Sequence, residues 1–121
     1  MSDRLHRARR VLDIEAAALG TLRDRLDASF ARAIDVLVAC RGKIVVTGIG
    51  KAGVVGRKIA ATLASTGSTS VFLHAAEGSH GDAGTLARGD AVLGLSYSGE
   101  TEVLTLLPVL RRFEVPLIAL T

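Results

Sequence analysis

The 121-residue chain is 49% hydrophobic and 22% charged, the composition of one soluble globular domain with a single core. Aromatic residues make up 3% of it and tryptophan is absent, which leaves few surfaces for stacking nucleobases. The formal charge of +3 is modest. Its densest basic run, Arg4, His6, Arg7, Arg9 and Arg10, lies at the N-terminus away from any chemical motif, so it reads as a solvated helix face and not as a nucleic-acid site.

Cys40 is the single cysteine, which excludes an internal disulfide framework and a cysteine-based metal cluster. It fits a reducing compartment, and the expected location is the cytoplasm. Val11–Leu22 is interrupted by Asp13 and Glu15, and no uncharged run reaches the ~18 residues that a membrane span requires.

From Asp3 to Cys40 the pattern is helical, with Leu22, Leu26, Phe30, Ala33, Ile34, Leu37 and Val38 recurring at intervals of three and four. Gly20 is expected to divide the run into two helices. Thr21 followed by Asp24 resembles a capping box for the second of them. After Arg41-Gly42-Lys43 the period changes. Ile44 to Thr47 is a β-branched run closed by Gly48, the signature of a strand buried on both faces. Glycines 48, 50 and 53 lead into a small-residue helix, Val54 to Ser65. Val71 to His74 reads as a second strand, Ala91 to Ser96 as a third, Glu100 to Phe113 as a helix and Val115 to Thr121 as a fourth strand. This β-α-β punctuation predicts parallel crossovers and a three-layer α/β sheet. No helix follows Thr121 to cover Val115, Leu117, Ile118 and Leu120, so the sheet is expected to be truncated or completed by another chain.

In such sheets ligands bind beyond the carboxyl ends of the strands, where helix N-termini offer free amides to anions. Three loops converge on that rim. Thr47-Gly48-Ile49-Gly50-Lys51-Ala52-Gly53 matches Gly-x-Gly-x-x-Gly, but a dinucleotide site wants an acid at the tip of the second strand, and His74 stands there. A phosphate loop fails too, because Val45 and Ala52 occupy its glycine and Ser/Thr positions. What remains is a close-approach loop carrying one lysine. Ser96-Tyr97-Ser98-Gly99-Glu100-Thr101 places hydroxyls and helical amides where they could surround a phosphate. His74 to Asp82 is rich in ionisable groups. His80, flanked by glycine and serine, could move protons near neutrality, while His74 among apolar neighbours reads as structural. Nothing in that loop sets a ligand geometry, so no metal site is expected.

Gly48-Ile49-Gly50-Lys51, Lys58 to Gly67, the Glu77 to Gly84 loop and Ser96 to Thr101 together resemble the SIS (sugar isomerase) domain, specifically its D-arabinose 5-phosphate isomerase branch. The segment Ala75-x-Glu77-x-x-His80-Gly81-Asp82 is the branch-specific block. The resemblance implies a flavodoxin-like five-stranded parallel sheet and an aldose-ketose isomerase that interconverts D-arabinose 5-phosphate and D-ribulose 5-phosphate, supplying a precursor of the lipopolysaccharide sugar Kdo. It implies no cofactor. Ser96, Ser98 and Thr101 would hold phosphate together with the backbone at Gly48, Gly50 and Gly99. Lys51 would steady charge on an enediolate-like intermediate, and His80 would assist ring opening or proton movement.

Ala52 stands where many relatives have serine, and Tyr97 replaces a frequent asparagine. The stretch Gly99 to Pro108 is one residue short, so either Glu102 or Val103 takes the place of a catalytic glutamate. The resemblance also implies that residues 1–40 are N-terminal helices used in packing or oligomerisation and 41–121 a partial SIS domain, without the regulatory CBS pair. A homo-oligomer with a phosphorylated sugar as ligand is expected, with neither nucleic acid nor membrane as partner. A non-catalytic phosphosugar-binding module and an inactive fragment are the alternatives.

Overall fold

The computed structural model describes residues 2–74, 82–99 and 102–121. They fall into two compact units divided between Arg32 and Ala33.

In the first unit α1 (Ser2–Arg25) is one continuous helix that runs through Gly20. The expected break at that glycine does not occur. A mid-helix glycine costs only about 1 kcal/mol relative to alanine, too little to interrupt a long run of good helix formers. Thr21 does not cap a helix; its hydroxyl donates back to the Ala17 carbonyl at 3.2 Å. The chain breaks instead at Leu26-Asp27. There the Asp27 carboxylate accepts from the Ser29 amide at 2.9 Å and caps α2 (Ala28–Ala39). The Ser29 hydroxyl and amide together hold the Asp27 carboxyl below its ordinary pKa.

The second unit is built on four parallel strands: β1 (Ile44–Gly48), β2 (Ser70–His74), β3 (Ala91–Leu95) and β4 (Leu117–Leu120). Their spatial order is β2-β1-β3-β4. β1 and β3 are the central strands and are buried at every position, as their unbroken apolar runs require.

Pleating sends alternate residues to opposite faces. Val45, Leu73 and Val92 pack on one face with Leu86, Leu106, Leu110 and Val115. Ile44, Val46, Leu93 and Leu95 pack on the other against Ala60 of α3 (Gly50–Ser65), with Leu37 and Cys40 beside them. These two cores make the three-layer α/β sandwich.

The helix expected over residues 100–113 is broken. A 3-10 turn, Glu102–Leu106, leads into a short α4, Leu107–Arg112. Pro108 lies in the first turn of α4. Proline has no amide to continue a preceding helix and disfavours α geometry just before itself, so the helix has to restart there. The fourth strand, β4, stands at the edge of the sheet and is only partly covered. Val115 is buried, and Leu117 and Ile118 pack against the two cores from opposite faces. Leu120 remains exposed.

At the amino rim of the sheet Asp90, 4% exposed, ties β1 to β3. Its carboxylate accepts from Lys43 Nζ at 2.6 Å, the Lys43 amide at 2.9 Å and the Ala87 amide at 2.9 Å. Burial alone would raise its pKa. The hydrogen bonds and the charge of Lys43 outweigh that and hold the carboxyl below its ordinary value. Gly42 must lack a side chain here, since a Cβ would run into the Asp90 carboxylate.

Candidate functional site

The chain leaves β1 for α3 and β2 on one side of the sheet, then returns past β1 to β3. The direction of winding therefore reverses between β1 and β3. This topological switch opens a crevice beyond their carboxyl ends, the general ligand position of doubly wound sheets. Two of the anticipated loops meet there. A cleft of about 330 Å³ is lined by Ile49, Lys51 and Ala52 after β1 and by Leu95, Ser96, Tyr97 and Ser98 after β3.

The first wall is set by how closely α3 approaches the strand. A Cβ at Gly48 would lie 3.1 Å from the Leu95 carbonyl oxygen and 3.2 Å from the Gly53 nitrogen. One at Gly53 would lie 3.0 Å from the Gly48 oxygen. The bareness of these two glycines thus serves strand-to-helix packing. Gly50 has φ of +61° with open space around it, so its lack of a Cβ serves the turn itself.

The helix begins at Gly50, not at Val54, and its first turn carries no acid and no side-chain cap. Unpaired amides and the positive end of the helix dipole are therefore directed at the cleft. Lys51 sits in that same turn, exposed. A cation at a helix N-terminus is unfavourable by itself, and none of the ion pairs among the described residues includes Lys51. Ammonium, amides and dipole all favour an anion at this point.

In the second wall the Ser96 amide donates to the Leu120 carbonyl at 3.0 Å, pinning the loop to β4. Ser96 is 8% exposed, and its hydroxyl accepts from the Gly99 amide at 2.8 Å. Accepting that bond leaves the hydroxyl its proton as a donor. Ser98 is exposed on the cleft, and Tyr97 between the two serines is fully exposed at 102%.

Of the anticipated site residues, Gly48, Gly50, Lys51, Ser96, Ser98 and Gly99 gather at this rim. His80 and Thr101 lie outside the described residues, and the backbone alone is described for Glu102. Val103, the rival for the glutamate position, is 6% exposed, and its Cγ1 lies 3.0 Å from where a Cβ on Gly94 would be. That side chain belongs to the core. The 3-10 geometry of Glu102–Leu106 advances each residue by about 120° where an α-helix advances 100°. Ile49 and Leu95 were not anticipated as lining residues; strand runs carry no mark of which apolar residue will face a crevice.

A doubly wound parallel sheet with a cleft at its switch point defines the class as a three-layer α/β domain. The chain belongs to the SIS domain family, whose description matches residues 37–121. It is 48% identical over 120 residues to the arabinose 5-phosphate isomerase KdsD of Pseudomonas aeruginosa, covering 98% of this chain and 37% of that protein. The KdsD of Yersinia pestis is 46% identical over 114 residues, covering 93% of this chain and 35% of that protein. The chain thus spans about a third of the length of the curated relatives it matches. An Escherichia coli protein solved in complex with arabinose 5-phosphate superposes with a TM-score of 0.90 at 42% identity, covering 98% of this chain and 63% of that one. Among the described residues no helix is long and apolar enough to cross a membrane.

Proposed function

We propose that this chain works in an aldose-ketose isomerase that interconverts D-arabinose 5-phosphate and D-ribulose 5-phosphate. The observation that carries the reading is the meeting of Lys51 and the uncapped N-terminus of α3 with the Ser96–Ser98 loop across the switch point. A phosphoryl group matches the hydroxyls and amides, and the ammonium matches the oxygen charge of an enediolate.

In this reading Ser96, Ser98 and Thr101 hold the phosphate with the loop backbone. A base takes the proton from the carbon beside the aldehyde, giving an enediol. A proton then returns to the former aldehyde carbon and leaves the ketose. Glu102 is the candidate for that base, and His80 assists ring opening and proton movement between oxygens. Electrons are neither gained nor lost overall, so the chemistry calls for no redox cofactor. Supply of a Kdo precursor and a cytoplasmic location accompany the reading, the latter in keeping with a lone cysteine and no disulfide.

Calorimetric titration with arabinose 5-phosphate, paired with an isomerase assay, tests it. Lys51→Ala is expected to lower turnover by about a hundredfold, the scale of one lost charge-stabilising group. Turnover unaffected by that change removes Lys51 from the chemistry. Binding without turnover in the unaltered chain reassigns it as a phosphosugar-binding module, and failure to bind any pentose phosphate eliminates both.

Self-association through α1 is the second part of the proposal. None of the helix's residues is buried, and Leu5, Leu12 and Leu19, with Leu26 just beyond its end, recur every seven residues and are each more than half exposed. Such a seam is covered by another helix when it is stable.

A further inference from the structure

Tyr97 is the sole tyrosine in a chain without tryptophan, and it is the most exposed large hydrophobic side chain among the described residues. Its exposure does not arise from a frayed segment. The backbone on one side is tied to β4 through the Ser96 amide, and the turn is closed by the Ser96 hydroxyl and the Gly99 amide. The loop therefore holds an aromatic ring in water at the lip of the cleft.

The cleft's hydroxyls, Ser96 and Ser98, are the kind that bind a phosphoryl group, Lys51 adds a positive charge, and Ile49, Ala52 and Leu95 form its apolar part. A phosphorylated sugar has a second half, a hydroxylated carbon chain whose C–H groups carry slight positive charge. The face of a phenol ring carries the complementary negative quadrupole, and the Tyr97 side chain is fully exposed. Among the described residues, Tyr97 is the only aromatic that lines the cleft.

We propose that Tyr97 is a positioning and specificity residue, its ring closing over the carbon chain of a bound phosphosugar while the phosphoryl group rests on the loop hydroxyls and the α3 amides. The inference rests on the phosphosugar reading of the cleft. Its consequence is discrimination: Tyr97 adds affinity for a phosphosugar and none for inorganic phosphate.

The composition supplies the probe, because all tyrosine emission of this chain comes from position 97. The full chain is titrated with arabinose 5-phosphate and, separately, with inorganic phosphate. Tyrosine emission, its quenching by iodide, and calorimetric heat are followed together. The phosphosugar is expected to shift emission and shield it from iodide at the calorimetric midpoint, and inorganic phosphate to leave iodide access unchanged. Tyr97→Ala should weaken phosphosugar binding roughly tenfold, the scale of one aromatic contact, and leave phosphate affinity within about twofold. Tyr97→Phe, which keeps the ring, should retain most of the affinity. The side chain is fully exposed, so neither variant threatens folding.

Calorimetric binding of the phosphosugar with unchanged emission, or equal affinity in Tyr97→Ala, overturns the inference and leaves the proposed function standing. Emission that depends on protein concentration without sugar places Tyr97 in a contact between copies and likewise overturns it. Calorimetric silence toward every pentose phosphate removes the proposed function and this inference together.

Discussion

Thr47 and Asp90 are buried polar side chains at opposite ends of the same pair of strands, and they differ in how they are satisfied. Asp90 receives the three hydrogen bonds described above. Thr47, 0% exposed, has a hydroxyl with no partner. An unpaired buried hydroxyl is costly, whereas an apolar group of the same shape is close to neutral. Thr47→Val is therefore expected to hold or raise stability, by up to about 1 kcal/mol. A loss of more than that in chemical denaturation would mean that the hydroxyl is bonded in solution.

Asp90→Asn leaves Lys43 without its counter-charge and is expected to cost about 2–3 kcal/mol, toward the lower end for a broken buried pair because Lys43 is partly exposed. The pH dependence follows from the depressed pKa. Native Asp90 binds its proton less readily than the unfolded chain does, so its stabilisation is full above the ordinary carboxylate pKa and is lost as the pH falls through that range toward the folded value. The variant's acid unfolding limb should be shallower than the parent's. Parallel limbs would place the acid sensitivity elsewhere. Sequence patterning does not reveal this pair, since Lys43 and Asp90 are 47 positions apart and each on its own looks like a surface charge.

At the scale of elements, glycine has two opposite meanings in this chain. Gly20 lies in the middle of α1 with nothing within 4 Å of a would-be Cβ, so alanine there only improves helix propensity. Gly53 lies in α3, where a Cβ would press on the Gly48 carbonyl oxygen of β1. Gly20→Ala is expected to raise helicity, with a gain of about 1 kcal/mol in the stability of α1. Gly53→Ala is expected to destabilise the sheet unit by about 1–3 kcal/mol as backbone is displaced, despite the same gain in propensity. Circular dichroism and thermal melts of the two variants should move in opposite directions. Movement in the same direction would refute the close-packing role of Gly53.

The strands were legible because β-branched runs and turn residues are local signals: Ile44 to Gly48 and Ser70 to His74 begin and end within a residue of expectation. The helix after the hydroxyl loop was not, because Pro108 imposes a restart that a count of apolar spacing over residues 100–113 passes over. Gly20 misled for a related reason. Its weak local penalty was read without weighing it against the whole helix and against the stronger cap at Asp27.

At the scale of the whole molecule, a long helix without a buried residue is the feature that asks for a partner. Isolated helices are marginal in water, and most helical stability in proteins comes from packing an apolar face. Sedimentation at micromolar concentration is expected to show self-association. Replacing Leu12 and Leu19 together with glutamate should shift the chain toward the monomer while leaving the β1–β4 sheet intact. A parent chain that is already monomeric, or a variant with unchanged mass, would end that proposal.

The sequence by itself determined the order of strands and helices, their α/β class and the loops that carry hydroxyls and Lys51, because hydrophobic period and turn chemistry act over a few neighbouring residues. The tertiary structure alone decided that β1 pairs with β3 as well as β2, and hence that the Lys51 turn faces the Ser96 loop across one cleft. It alone divided the glycines between packing and turning, turned Ser96 inward and left Tyr97 outside. Those outcomes depend on which distant segments meet. Strand pairing and close approach are set by the summed fit of both cores, and no local stretch of residues encodes that fit.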